Sequence, residues 1–300
     1  MKILVISVLL SWQLAAILIS QATMERSKRI RKMIGGRNAD RNDWASILSL
    51  TFTQPNPRWK ICSATAIDEM WLVTAAHCVD DIQSYPQYLQ VNMNHHQAAK
   101  QKLTLRKGYG VQEIIVHPMH EIVSKLSTNR AYSWDFDIAL IKLNESLPKQ
   151  TKADVVDSER TNVTDCKSAG WGSYNELDSI SDVSRKSYKI SETLKEIQVP
   201  LIPWKACYDF RTKSHEKFAL INYHVICGGT VGIENEYRNG GCIGDSGSPL
   251  LCSSTKGRVL YGILLGGNPF CRQGIDYMIF TKVVHYKAWF LRHINGYRKH

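Results

Sequence analysis

A serine hydroxyl attacks a carbonyl at neutral pH only when a neighbouring base takes its proton and an acid orients that base. The anion formed on attack also needs N–H donors aimed at it. Three segments of this sequence hold residues of those types. Gly244-Asp245-Ser246-Gly247-Ser248-Pro249 sets a serine between glycines, which permit a tight backbone that exposes the oxygen and turns successive N–H groups toward one point. Taken alone, such a run is equally well a turn. Thr74-Ala75-Ala76-His77-Cys78 sets a histidine among small residues and beside a cysteine. Most lone histidines are structural, whereas one pinned in this way can serve as a fixed base. Asp135-Phe136-Asp137-Ile138-Ala139-Leu140 puts an acid at the mouth of an apolar run.

These segments need a scaffold, and the sequence offers one made of short strands. Runs rich in Val, Ile, Leu and aromatics fall at 47–52, 71–74, 88–93, 114–116, 138–143, 197–201, 259–265 and 279–284, with Gly, Pro, Asn, Asp or Ser breaking most of the intervals. That pattern predicts an all-β sandwich or a pair of barrels. There is no convincing βαβ alternation and no repeat of fixed period. Only the tail has helical periodicity: Tyr286, Trp289, Phe290 and Ile294 fall at i, i+3, i+4 and i+8, with Gly296 as the expected stop. This helix is expected to dock its aromatic side and to take no part in the chemistry. The polar stretch 144–165 reads as the connection between two β units, and 173–193 as a long exposed loop.

With 300 residues, 44% of them hydrophobic and 22% charged, the chain can bury a proper core. Its first residues stand apart. Lys2 is followed by an apolar stretch over 3–19 and by the small-x-small site Ser20-Gln21-Ala22, which reads as a signal peptide cleaved after residue 22. The alternative, a retained membrane anchor, needs about 18 apolar residues, and this stretch is at the short end of that range. Net charge is +11, but residues 1–32 hold six of the basic residues and one acidic one, so the remainder carries 32 basic against 26 acidic residues, a net +6. That mildly basic balance reads as a solvated surface, and no Lys/Arg stripe interleaved with aromatics points to nucleic acid. Eight cysteines behind a signal peptide imply an oxidising compartment and four disulfides, with 105 pairings open to arithmetic alone. No C-x2-C pair favours zinc. The sequons Asn144-Glu145-Ser146 and Asn162-Val163-Thr164 fit passage through the secretory pathway.

In their order along the chain, the segments around His77, Asp137 and Ser246 resemble the signatures of the trypsin-like (chymotrypsin-fold) serine proteases, a likeness that covers nearly all of 33–300. The order His, Asp, Ser separates this family from subtilisins and α/β-hydrolases. The resemblance implies an all-β fold of two packed antiparallel barrels, at about 33–150 and about 160–285, with a C-terminal helix. By the same resemblance His77 is the general base and later the acid, Asp137 orients it, Ser246 attacks, and the N–H groups of Gly244 and Ser246 form the oxyanion hole. Asp135 is left as a surface acid. The implied disulfides are Cys62–Cys78, Cys166–Cys252, Cys207–Cys227 and Cys242–Cys271. Lys32-Met33-Ile34-Gly35-Gly36 resembles the junction at which such proteases are activated, a propeptide of 23–32 being cut off after Lys32. The freed ammonium of Met33 is then expected to pair with Asp245. Relatives usually begin with Ile or Val, and Met33 is an apolar residue of similar volume.

Other positions depart from the family pattern. Six residues before Ser246, where trypsin has an aspartate for basic substrates, stands Gly240. Met278 falls where many relatives have a glycine, so it is expected to shorten the specificity pocket, while Gly267 keeps the entrance open. A small or medium apolar residue is therefore expected at P1, the substrate residue whose carbonyl is attacked. The strand beside the substrate usually reads Ser-Trp-Gly but here reads Leu265-Gly266-Gly267, which removes a hydroxyl for Asp137 and an indole wall for the substrate. An insertion at 121–134 is expected to form a rim loop. His95-His96 and His117-Pro118-Met119-His120 are read as structural, with no metal, cofactor or calcium loop expected. The resulting picture is a secreted, monomeric serine endopeptidase acting on protein or peptide substrates, with an activating protease and room for a serpin-type inhibitor. The rival is a catalytically weak or inactive homologue that uses the fold for binding.

Overall fold

The arrangement of the chain was taken from a computed structural model. It describes residues 36–40, 42–55, 57, 61–93, 108–126, 134–173, 190–213, 224–230, 240–267 and 276–297, all within one unit spanning 32–300. The expected signal peptide and propeptide, Lys32, Met33, His95-His96 and Cys271 lie outside the described residues.

Fifteen strands are present among the described residues. The first eight are β1 (Arg37–Asn38), β2 (Ile47–Phe52), β3 (Ile61–Ala66), β4 (Trp71–Thr74), β5 (Leu89–Asn92), β6 (Tyr109–Val116), β7 (Ala139–Leu143) and β8 (Asp154–Val155). The rest are β9 (Thr164–Gly170), β10 (Lys195–Gln198), β11 (Leu201–Ile202), β12 (Val225–Thr230), β13 (Pro249–Ser254), β14 (Gly257–Gly266) and β15 (Asp276–Lys282). Strands β2-β3-β4-β7-β6-β5 close into a six-stranded antiparallel barrel. A nine-stranded sheet follows the order β1-β10-β9-β13-β14-β15-β12-β11, with β8 added in parallel to β14.

Period-two alternation explains why several strands look apolar on both faces. In β4, Leu72 points into the closed barrel while Trp71 and Val73 point outward, and in β7 Ile141 points in while Leu140 points out. The outward residues join Leu251, Leu260, Ile263 and Phe290 from the second half, so one core lies inside the barrel and another glues the two halves together. Each such buried side chain contributes about 1.5–3 kcal/mol. Helix α3 (Lys287–Tyr297), preceded by a 3-10 turn over Val283–Tyr286, docks Tyr286, Phe290 and Ile294 into that second core. The helix runs through Gly296 rather than stopping at it, and nothing lies close to that residue.

Two further helices occur, α1 (Pro118–Leu126) and α2 (Trp204–Lys213). Helix α1 falls in the stretch expected to be a rim loop. Pro118 opens it, a position where the missing N–H costs nothing. At the start of the second sheet, the Nε of Arg37 donates to Oε1 of Glu196 at 2.6 Å, and the Nε1 of Trp44 donates to Oε2 at 2.6 Å. Glu196 is buried, and as burial demands its charge is paired with Arg37 and each of its oxygens accepts a hydrogen bond. The guanidinium of Arg258 lies 4.5 Å over the Trp44 ring. This cluster anchors β1 just after the expected activation junction.

Candidate active site

Barrel register brings the histidine and the aspartate together. Thr74 at the end of β4 pairs with Ala139 at the start of β7. His77, three residues beyond, and Asp137, two residues before, therefore meet at the same rim. His77 sits in a short 3-10 turn, Ala76–Cys78, whose cysteine is bonded to Cys62 of β3. Its backbone N–H donates to Oδ1 of Asp137 at 2.9 Å, and its Nδ1 lies 2.7 Å from Oδ2. The carboxylate is 3% exposed, so it is held at two points and screened from water. Burial pushes the Asp137 carboxyl up, but the adjacent His77 ring and its hydrogen bonds outweigh this and hold the group below its ordinary value.

Asp137 is also fixed from behind. The Oγ1 of Thr281 in β15 donates to its backbone carbonyl at 3.3 Å. Phe136 adopts the left-handed conformation, with φ 57°, and is held there by stacking on His117 at 5.0 Å. Such strain costs about 1–3 kcal/mol and persists only where packing over-determines it. Asp135 is no free surface acid: its carboxylate is half-buried, 3.8 Å from His224.

The serine arrives from the second half of the molecule. The N–H of Ser63 in β3 donates to the Ser246 carbonyl at 2.7 Å, and that carbonyl lies 3.9 Å from the Sγ of Cys78, the residue after His77. The Ser246 hydroxyl donates to the Leu265 carbonyl at 3.3 Å. Most amides of this loop are occupied: Asp245 donates to Cys242, Gly247 to Leu264 and Ser248 to Asp245. The Cys242 N–H is held by Asp245 Oδ2 at 2.9 Å. The amides of Gly244 and Ser246 have no acceptor among the described residues. Gly244 takes φ +96°, and a Cβ there would stand 2.8 Å from Ile61, so glycine is required.

Asp245 is fully buried. Its Oδ1 accepts the Gly172 N–H at 2.7 Å, and Gly170 and Gly172 leave room for its carboxyl. Burial pushes its pKa up to about 7, against the pull of the Cys242 and Gly172 N–H groups. Around the expected pocket, Gly240 is buried, and a Cβ on Gly267 would stand 2.8 Å from the Tyr277 carbonyl. Met278 is wholly buried, its sulfur 3.5 Å from where a Gly241 Cβ would stand. Disulfides Cys62–Cys78, Cys166–Cys252 and Cys207–Cys227 are formed. Cys242 is also disulfide-bonded, its expected partner Cys271 lying outside the described residues. No group of three His, Cys, Asp or Glu among the described residues could hold a metal ion. Two participants gave no signal of their role in the sequence: Thr281, and Trp134, whose ring meets His77 edge-on at 6.5 Å.

Residues 33–290 match the family model described as Trypsin, so the chain belongs to the trypsin-like serine protease family. It is similar to Chymotrypsin-like elastase family member 1 of Homo sapiens, with 26% identity over 279 residues, covering 91% of this chain and 96% of that protein. Serine protease 28 of Mus musculus is 27% identical over 290 residues, covering 93% and 95%. Coagulation factor XI of Bos taurus is 30% identical over 275 residues, which are 88% of this chain and 38% of that protein. The closed barrel, the curled second sheet and the C-terminal helix are those of the chymotrypsin fold.

Proposed function

We propose that the chain is a secreted serine endopeptidase, made as a zymogen, cleaved after Lys32 and working through an acyl-enzyme. The observation that carries this reading is the doubly held His77–Asp137 pair beside a serine whose own N–H, like that of Gly244, has no acceptor among the described residues. In the reaction, Ser246 Oγ turns from the Leu265 carbonyl toward Nε2 of His77. It yields its proton there as it bonds to the substrate carbonyl carbon. The carbonyl oxygen takes the negative charge and faces the N–H groups of Gly244 and Ser246, each donor of this kind supplying about 10²–10³ in turnover in other proteases. Collapse expels the amine, which takes the proton from His77. Water then repeats the sequence on the ester. Asp137 keeps the proton on Nδ1, which leaves the opposite nitrogen as the base.

Zymogen control rests on Asp245. No cation among the described residues faces its carboxyl, and the ammonium freed on Met33 by cleavage supplies one. In the uncleaved chain the carboxyl titrates near 7 when folded and near 3.8 when unfolded. Between those values the unfolded chain has released a proton that the folded chain still holds, so this group makes stability fall as pH rises. The expected result is that the unfolding free energy of Asp245→Asn gains on that of the wild type as pH rises from 4 to 7, by up to roughly 4 kcal/mol. Cleavage after Lys32 is expected to reverse the difference, because the Met33 ammonium then favours the ionised carboxylate over a neutral amide, and a pH-independent difference in the uncleaved chain would count against the role of Asp245.

Substrate preference follows from the filled pocket. With Gly240 offering no charge and Met278 packed against Gly241, small or medium apolar residues fit at P1. Met278→Gly is expected to raise kcat/KM for phenylalanine over alanine at P1 by about tenfold or more, at a stability cost of about 2–5 kcal/mol for the cavity. An unchanged preference would mean that the thioether does not floor the pocket. Asn144 and Asn162 are both exposed and suit glycosylation in the secretory pathway. A protein or peptide is the substrate, and an activating protease and a serpin-type inhibitor are its expected regulators.

One observation favours the rival reading of a weak or inactive homologue: Leu265 gives Asp137 no hydroxyl, and the Ser246 proton points at the Leu265 carbonyl. A fluorophosphonate probe applied to the chain cleaved after Lys32 separates the two, since only a working serine–histidine pair is labelled at a useful rate. A P1 profile of the same material tests the pocket, and strong selection for Arg or Lys would overturn that part.

A further inference from the structure

A side chain as bulky as phenylalanine is an outlier in the left-handed conformation that Phe136 adopts. Ring packing keeps it there. His117 stacks on Phe136 at 5.0 Å and 18°, His224 lies against it at 5.8 Å, and Tyr286 meets it edge-on at 6.2 Å. The residue that depends on this packing is Asp137. The Ile138 N–H donates to the Phe136 carbonyl at 2.8 Å, which closes a three-residue turn with Asp137 at its middle. His117 grips that turn at both ends, since its own N–H donates to the Ile138 carbonyl at 3.1 Å.

The same imidazole caps a helix. Its Nδ1 accepts the Met119 N–H at 3.2 Å, in the first turn of α1. A nitrogen that accepts carries no proton, so the ring does this only while neutral. A proton on Nδ1 would face that N–H and the positive end of the helix. Burial against Phe136, Tyr286 and Trp289 also strips water from the cation, and His120 of the same helix and His293 of α3 repel it. The aromatic faces attract a cation, but burial and the two histidines prevail and hold His117 below its ordinary value. His224 is placed differently: it lies 3.8 Å from the Asp135 carboxylate and 4.9 Å from His285, which is paired with Glu159 at 3.0 Å. A proton there meets counter-charges, whereas the charged groups that act on His117 are two more histidines. We infer that His117 is a positioning residue for the catalytic aspartate: its uncharged ring holds the turn that aims Asp137, and a proton on that ring lets the turn relax. This rests on the endopeptidase reading. Because the folded chain disfavours the proton, the contribution of His117 is whole above about pH 6.5 and fades as pH falls below it.

The test compares wild type with His117→Phe, which keeps a ring that cannot take a proton, and His117→Asn, which keeps an acceptor for the Met119 N–H but no ring. Each is also made in a Phe136→Gly background, where glycine takes the left-handed turn unaided. All are cleaved after Lys32 and read by fluorophosphonate labelling, melting temperature, and kcat and KM across about pH 5 to 8. At about pH 8, His117→Asn is expected to lower kcat about tenfold with KM little changed, and His117→Phe about threefold. On acidification a proton on His77 shuts down wild type and variants alike. The ratio of kcat in wild type to kcat in His117→Phe therefore isolates His117, and it is expected to fall about tenfold between about pH 7 and 5. In the Phe136→Gly background the ratio is expected to stay flat, and His117→Asn to add less than about twofold. A ratio that does not change with pH, or one that falls as steeply without Phe136, overturns the inference while labelling still upholds the endopeptidase. If Phe136→Gly fails to fold, the pH dependence of the ratio decides alone. Absence of labelling in the wild type removes the endopeptidase reading, and this inference with it.

Discussion

Replacing Ser246 with alanine is expected to abolish fluorophosphonate labelling and to lower peptide hydrolysis by the cleaved chain about 10⁶-fold, the loss seen for the nucleophile of another serine protease. The size of the effect comes from the way the parts depend on one another. Without the hydroxyl, the His77–Asp137 pair has no proton to take, however well its 2.7 Å contact is made. The two amides at Gly244 and Ser246 are left to bind an oxyanion that no longer forms. The substitution removes one oxygen from a half-buried residue whose hydroxyl makes a single hydrogen bond at 3.3 Å. Melting temperature should therefore move little, which separates lost chemistry from lost fold. Hydrolysis that survives in Ser246→Ala at a tenth of the wild-type rate would show that another group attacks.

Replacing Gly247 with alanine is expected to cost more stability than any other single methyl added near the site. Gly247 has φ +84°, a region that side chains disfavour, but strain is the smaller part of the cost. A Cβ there would overlap the Ser63 carbonyl oxygen and crowd the Thr74 hydroxyl. Those two atoms are hydrogen-bonded to each other at 2.7 Å inside the first barrel, and both are fully buried. The loop carrying Ser246 is pinned to the same strand by the Ser63 amide at 2.7 Å, so it cannot retreat without losing that bond. A loss of about 4–5 kcal/mol places the change among the rare severe substitutions. Urea unfolding of the uncleaved chain, read beside labelling of the cleaved one, checks it. A variant as stable and as reactive as wild type would mean that the two halves are not in the close contact described.

What could be seen in the sequence and what could not follow from the same physics. Strands such as Ile47–Phe52, Trp71–Thr74 and Ala139–Leu143 announce themselves because they are dense in large apolar side chains, which in the last two occupy both faces. Strands β3, with Ile-Cys-Ser-Ala-Thr-Ala, and β9, with Thr-Asp-Cys-Lys-Ser-Ala-Gly, give little such signal. Their residues are small because backbone from elsewhere comes against them, as Gly247 does at Ser63, and a window of sequence holds no trace of that neighbour. The residue types at 77, 137 and 246 were readable from their flanking small residues and glycines. Their mutual geometry was not, because it depends on the pairing of Thr74 with Ala139 and on a loop about 110 residues further on. Gly266 looked like a missing wall from its own strand. Only the fold reveals that an indole 132 positions earlier fills the space.

The clamp of Glu196 on Arg37 and Trp44 sets how the proposed activation behaves as a binding event. With β1 fixed at Arg37, cleavage after Lys32 leaves residues 33–36 as a leash of four, with a span of about 14 Å at full stretch. A ligand on so short a tether is present at an effective concentration in the millimolar range or above, whatever the dilution of the protein. Its own affinity can then be modest, which gives a methionine at the new terminus room to serve where a tighter-fitting residue is usual.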